Sequence, residues 1–284
     1  MNLARPADVA ILVLACNRPK LLEQTLRSLA VSLGRLDEIL GEANQIPLTI
    51  SIDGPSGDLR GDRAHKQVRR VASEAGIAST IISQVRPRGL PAHLLEAYEF
   101  AYQTNGARRL IAVEDDVELS PWAVSALLYA SARVDDDRHV ISGSPRHADG
   151  SLEHQLLLVS EKAHRASETY LREYIERFSL DGARHPGGYG NRDHGAIDAW
   201  TRSVDAQATG AVAKGTSQDR IRERAWIHAG LRVTGLPSRM MRHRGMWGQH
   251  NTPWFALKTG QLFQRVDARA WDKIAIEIDR AYRA

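Results

Sequence analysis

Apolar positions enter this chain in short unbroken runs, each followed by a polar turn and then by apolar residues at helical spacing. Val9-Ala10-Ile11-Leu12-Val13-Leu14 is continuous, the pattern of a strand buried on both faces. It breaks at Asn17-Arg18-Pro19, after which Leu22, Leu26 and Leu29 line one helical face, with Asn17 placed as N-cap. Leu48–Ile52 predicts the next strand and ends in the turn-rich Asp53-Gly54-Pro55-Ser56-Gly57. A helix over about 63–74, a strand at Thr80–Val85, the basic loop Arg86-Pro87-Arg88-Gly89 and a helix over about 92–104 follow. Leu110–Val113 predicts a strand, Pro121 to about Arg133 a helix, and Val140–Ser142 another strand.

Strands alternating with helices predict a mostly parallel, Rossmann-like α/β sheet with helices on both faces. Ligands of such sheets sit beyond the carboxyl ends of the strands, where strand order reverses. Three loops fall at that edge: Cys16–Arg18, Asp53–Gly57 and Glu114–Asp116.

From Gly143 the rhythm weakens. Leu156–Val159 reads as a strand, Ser167–Phe178 as a helix and His185–Asn191 as a glycine-rich loop. Helices are expected at about 196–207 and 218–229, and an amphipathic one at about 268–282. Between them Ser238–Asn251 is basic and glycine-spaced, carrying His243, Arg244, Trp247, Gln249 and His250. With no repeat and no clean linker, one domain over 1–284 is the economical reading, about 1–145 forming one half and about 146–284 a specialised second half.

Composition narrows the partners. The chain has 284 residues, 43% hydrophobic and 25% charged, as in ordinary globular proteins. Its formal charge of +4 favours anionic ligands but falls far short of a nucleic-acid-binding tail. The single cysteine, Cys16, excludes an internal disulfide framework. The Val9–Cys16 run is much shorter than the ~20 residues of a membrane span and lacks the flanks of a signal peptide. A cytoplasmic protein is expected.

The strongest chemical signal is Glu114-Asp115-Asp116, three carboxylates at a strand end. They repel one another and lose solvation unless a cation or hydrogen-bond donors satisfy them. A hard divalent ion, Mg²⁺ or Mn²⁺, completed by substrate phosphates, answers that need. An acidic loop ahead of a helix capped by Ser120, with Pro121 at its first position, is the plainer alternative.

These islands together resemble the nucleotide-sugar half of GT-A glycosyltransferases, nearest to N-acetylglucosaminyltransferase I and its protein O-mannose-linked relatives. The likeness is carried by Ala15-Cys16-Asn17-Arg18, Ser51-Ile52-Asp53 and Glu114-Asp115-Asp116-Val117-Glu118. Gln218-Asp219-Arg220-Ile221-Arg222 is similar to the family's Asp-Asp-Trp-Met-Arg segment, without its tryptophan. Ser238-Arg239 with Gly245 and Gly248-Gln249 is similar to its Ser-Arg-Thr…Gly…Gly-Gln loop, though shorter. Residues 152–209 have no counterpart beyond Pro186-Gly187…Gly190.

The resemblance implies a metal-dependent inverting transfer of a sugar, N-acetylglucosamine among the candidates, from a UDP-sugar to a hydroxyl. Asp116 would hold Mn²⁺ or Mg²⁺, Asp115 the ribose or metal waters, and Glu114 the donor-sugar hydroxyls. Asp53 would meet the uracil edge, Arg18 the base or a phosphate, and Arg88 and Gln249 would join the donor site. Arg18 and Asp53 also fit a surface ion pair or turn caps. Arg244, in a lid over about 242–251, would meet the pyrophosphate.

Asp219 is the candidate general base, although an acid in a first helical turn is also favoured by the helix dipole alone. His250 is either a second metal ligand or a hydrogen-bonded structural histidine. Asp193 and His194 either touch the acceptor or cap the next helix. The acceptor would be a glycan, a glycolipid or a small molecule, a lipid-linked one bringing peripheral membrane contact. A nucleotidyltransferase and a non-catalytic sugar-nucleotide or glycan-binding module remain alternatives. Ala15–Lys20 lacks the glycine-rich basic signature of the former.

Overall fold

The computed structural model describes residues 8–41, 43, 45–134, 137–147, 150, 152–178, 194–204, 218–244 and 264–283. The first strand is β1 (Val9–Ala15), entirely buried and followed by α1 (Pro19–Leu40). Then come β2 (Leu48–Ile52), α2 (Leu59–Glu74), β3 (Thr80–Ser83), α3 (Leu90–Asn105) and β4 (Arg109–Glu114). The chain continues through β5 (Val117–Leu119), α4 (Ala123–Val134), β6 (His139–Ser142), β7 (Leu156–Ser160) and α5 (Glu161–Phe178). It closes with α6 (His194–Val204), α7 (Gln218–His228), β8 (Arg232–Gly235), β9 (Met241–His243) and α8 (Trp271–Arg283).

Seven strands form one sheet in the order β3-β2-β1-β4-β7-β6-β8. β7 alone runs antiparallel to its neighbours β4 and β6; the other pairings are parallel. The fold is therefore mixed α/β with a mostly parallel sheet, as the alternating pattern predicts. Burial on both faces explains the unbroken apolar runs. In β1, Val9, Ile11, Val13 and Ala15 join the core beneath α1, α2, α4 and α8. The intervening Ala10, Leu12 and Leu14 join the opposite core, beneath α3, α5 and α7.

Several boundaries differ from the sequence expectation for local reasons. Arg18, not Asn17, is the N-cap of α1, without a side-chain capping bond and with Pro19 opening the helix. Helix α2 starts at Leu59 rather than near 63, because Asp58 caps it through Gly61 N at 2.6 Å. Helix α5 starts at Glu161 rather than Ser167, with Ser160 Oγ accepting from Ala163 N at 3.1 Å. Strand β3 ends at Ser83 rather than Val85.

Strands β5, β8 and β9 are not foreseen in the sequence. β5 and β9 make a separate antiparallel ribbon, Val117 opposite His243. Helix α1 holds it, Thr25 Oγ1 donating to Val117 O and Leu119 N donating to Ser28 Oγ. Among the described residues no helix is long and apolar enough to cross a membrane.

Candidate functional site

Strand order reverses between β1 and β4, and the register sets Leu14 beside Glu114 and Ala15 beside Ile52. The loops Cys16–Arg18, Asp53–Gly57 and Glu114–Asp116 thereby leave the sheet at adjacent strand ends. This is the crevice in which doubly wound sheets bind ligands.

Two buried carboxylates dominate it: Asp115 is 1% and Asp116 3% exposed. Arg18 pairs with both, Nη2 with Asp115 Oδ1 and Nη1 with Asp116 Oδ2 at 2.5 Å. The second Asp115 oxygen accepts from Cys16 N at 3.1 Å. Asp116 Oδ2 also meets His243 Nε2 at 3.0 Å, and Asp116 O accepts from Arg244 N at 2.6 Å. The β5–β9 ribbon is what delivers His243 and Arg244 to the triplet. Asp116 Oδ1 is buried and has no hydrogen-bond partner among the described residues.

The three acids are held in different protonation regimes. Burial pushes Glu114 well above the usual carboxylate range, reinforced by the charges of Asp116 and Asp219. Burial also lifts Asp115, to about 6 despite the opposing charge of Arg18. Burial acts against the charge on Asp116 too, but the His243 hydrogen bond and Arg18 prevail and hold it at about 2. Asp116 is thus the fixed anion of the triplet. Beside it the Cys16 thiol is driven up to about 12 by burial, then by Asp53 and Asp115, and is no nucleophile at neutral pH.

A second wall comes from α7. Its sequence looks like a solvated helix, yet Arg222 is 1% and Glu223 0% exposed. The Arg222 guanidinium lies over the rings of Tyr98 and Trp226, at 4.7 and 4.8 Å. His154 stacks on Trp226 with rings 8° from parallel. It lies 4.0 Å from Asp219 Oδ1 and 3.6 Å from Glu223 Oε2, contacts too long for hydrogen bonds. Asp219 Oδ1, Glu223 Oε1, both His154 ring nitrogens, and Arg222 Nε and Nη2 are all buried without hydrogen-bond partners among the described residues. Buried polar groups are nearly always paired, so this bank makes α7 a candidate ligand-facing wall.

The remaining expected residues are placed as follows. Asp53 is 5% exposed. Its Oδ1 accepts from Gly54 N and Arg88 N, each at 2.8 Å, and its Oδ2 from Gly89 N at 3.2 Å. It ties the 86–89 loop to the sheet edge, as a turn-capping carboxylate does. The Arg88 side chain pairs with Glu96 through Nε at 3.0 Å. Arg244 directs its side chain to Glu118, which Arg242 also binds. Gln249, His250, Asp193 and the glycine-rich 185–191 loop lie outside the described residues, as does the side chain of His194. His154, Glu223 and the role of His243 were missed. For His243 the basic segment was the only signal, and the other two carried none.

No protein-family model and no curated protein sequence matches this chain. Among solved structures it is similar to a cytidylyltransferase from Leptospira borgpetersenii serovar Hardjo-bovis. That match has a TM-score of 0.41 and 10% identity, covering 96% of this chain and 94% of the other. The glycosyltransferase GlyE of Streptococcus pneumoniae TIGR4 gives 0.42 and 10%, over 96% of this chain and 64% of that one. The inositol-1-phosphate CTP transferase of T. maritima gives 0.39 and 9%, over 92% and 98%. At such distances any function of this chain has to be read from its own side chains.

Proposed function

We propose that this protein is a metal-dependent inverting glycosyltransferase that moves a sugar from a UDP-sugar to a hydroxyl acceptor. The observation carrying this reading is the pairing of two half-satisfied walls across the switch-point crevice. One wall ends in Asp116 Oδ1 and the other in Asp219 Oδ1, both buried without a hydrogen-bond partner among the described residues, and Glu114 feels the charge of both carboxylates.

Mn²⁺ or Mg²⁺ fits the first wall. Asp116 stays ionised and offers one buried, unpaired oxygen, as in sites where phosphates and water complete the coordination. When bound there, the ion would stabilise the negative charge growing on the departing nucleoside diphosphate.

The chain's own groups do the rest. Arg18 and His243 keep Asp116 ionised and aligned. Glu114, whose pKa burial pushes well above the usual carboxylate range, hydrogen-bonds a donor-sugar hydroxyl. Asp219, at the start of α7, accepts the acceptor hydroxyl's proton as general base. The chain beyond about residue 145 supplies the acceptor side, with His154 and Arg222 lining it beside the base.

Asp219→Asn is the test. It should preserve UDP-sugar affinity while lowering turnover by about 10²- to 10⁴-fold, with UDP rather than pyrophosphate released by the wild type. Turnover equal to wild type would remove Asp219 as base, and release of pyrophosphate from a nucleotide triphosphate would replace sugar transfer with nucleotidyl transfer.

A further inference from the structure

Outside the crevice, one buried side chain has no use in the reading above. His164 is fully buried in α5, and neither ring nitrogen has a hydrogen-bond partner among the described residues. Its ring stacks against Tyr98 and Tyr102, with centroids 5.4 and 5.5 Å away. One turn later on the same helix stands Glu168, and Glu99 faces both from α3. One ligand atom from each of Glu99, His164 and Glu168 lies within 4.8 Å of the other two.

We propose that Glu99, His164 and Glu168 form a divalent transition-metal site of the Zn²⁺ class, clamping α3 to α5. One imidazole nitrogen and two carboxylates are a donor set seen at zinc, with a fourth position left for water. The nitrogen favours Zn²⁺ over Mg²⁺ or Ca²⁺, which prefer oxygen alone. Ligand atoms around a tetrahedral Zn²⁺ stand about 3.4 Å apart, given bonds of about 2.1 Å. The three atoms therefore need to draw in by little more than an ångström. Both glutamates can follow, since their side chains keep 23% and 21% exposure.

The two carboxylates already have cationic partners, and these define the competition. Arg172 bridges Glu99 and Glu168, reaching Glu168 Oε1 at 3.0 Å, while Arg165 Nη1 holds Glu168 Oε2 at 3.0 Å. The Arg172 side chain is 51% exposed and is free to swing into solvent. It satisfies the acids when no ion is bound, but it leaves the imidazole unanswered. A metal ion answers all three groups by displacing it.

The test is calorimetric titration of the chelator-stripped full chain carrying Asp116→Ala with ZnCl₂, and with MgCl₂ as control. Working without Asp116 separates this site from the triplet. The expected result is one Zn²⁺ per chain and no Mg²⁺ binding. His164→Phe, which keeps the ring stack, and Glu168→Gln should each weaken Zn²⁺ binding at least tenfold, whereas Arg172→Gln should tighten it several-fold. Zn²⁺ binding absent from the Asp116→Ala chain, or undiminished by both His164→Phe and Glu168→Gln, would overturn the proposal.

Discussion

Arg18 Nη1 lies 2.5 Å from Asp116 Oδ2 although the residues are 98 positions apart, and the same guanidinium also holds Asp115. One side chain thus pairs with two adjacent buried acids and joins the end of β1 to the end of β4. Taking away one partner of such a cluster leaves uncompensated buried charge. Arg18→Ala should destabilise the protein by about 2–3 kcal/mol, discounted because its side chain is 31% exposed. Urea denaturation measures this. Added Mn²⁺ should restore part of the loss in this variant, since a cation can take the place of the guanidinium; a stability unmoved by both changes would contradict the pairing.

His243 contributes to the low pKa of Asp116, and that gives a pH signature with a definite sign. The folded Asp116 titrates near 2, below its ordinary value of 3.8. The associated stability is present above about pH 4 and is lost as pH falls through the folded value. His243→Gln weakens one cause of the shift. The stability gap between wild type and His243→Gln should be widest above pH 4 and narrow toward pH 2. Urea melts at pH 5, 4 and 3 read it directly, and a gap that grows on acidification would refute the assignment.

Gly54 sits against the loop that Asp53 ties down. A Cβ there would meet Arg86 C at 2.1 Å and Arg86 O at 2.2 Å, both backbone atoms that cannot swing aside. Gly54→Ala should cost about 1–3 kcal/mol and loosen the Asp53 bonds to Arg88 and Gly89. Hydrogen exchange at those two amides should quicken relative to wild type. Protection equal to wild type would show that the loop is not held as described.

The half of the fold that carries the triplet was legible because two-sided burial writes itself as unbroken apolar runs. Leu14 opposite Glu114 and Ala15 opposite Ile52 follow once β1, β2 and β4 are neighbours, so the convergence of their loops was readable too. The second half hid for opposite reasons. Strand β9 is three residues long and exists through pairing with β5, so nothing local announced His243 as a partner of Asp116. In α7 the string Arg220-Ile221-Arg222-Glu223-Arg224 has the composition of a solvated helix. Ile221 to Arg224 are nevertheless buried, with Tyr98 and His154 coming from distant segments to pack against Arg222 and against the helix's own Trp226. The Asn17 cap failed because Arg18, drawn to the acids, occupies the capping position itself.

Metal-dependent donor binding through Asp116 is the centre of the account, and calorimetry of UDP-sugars with and without Mn²⁺ tests it most directly. The wild type should bind one UDP-sugar only when Mn²⁺ is present, and Asp116→Ala should bind it at least tenfold more weakly under the same conditions. Equal affinity in the variant, or binding indifferent to Mn²⁺, would contradict it.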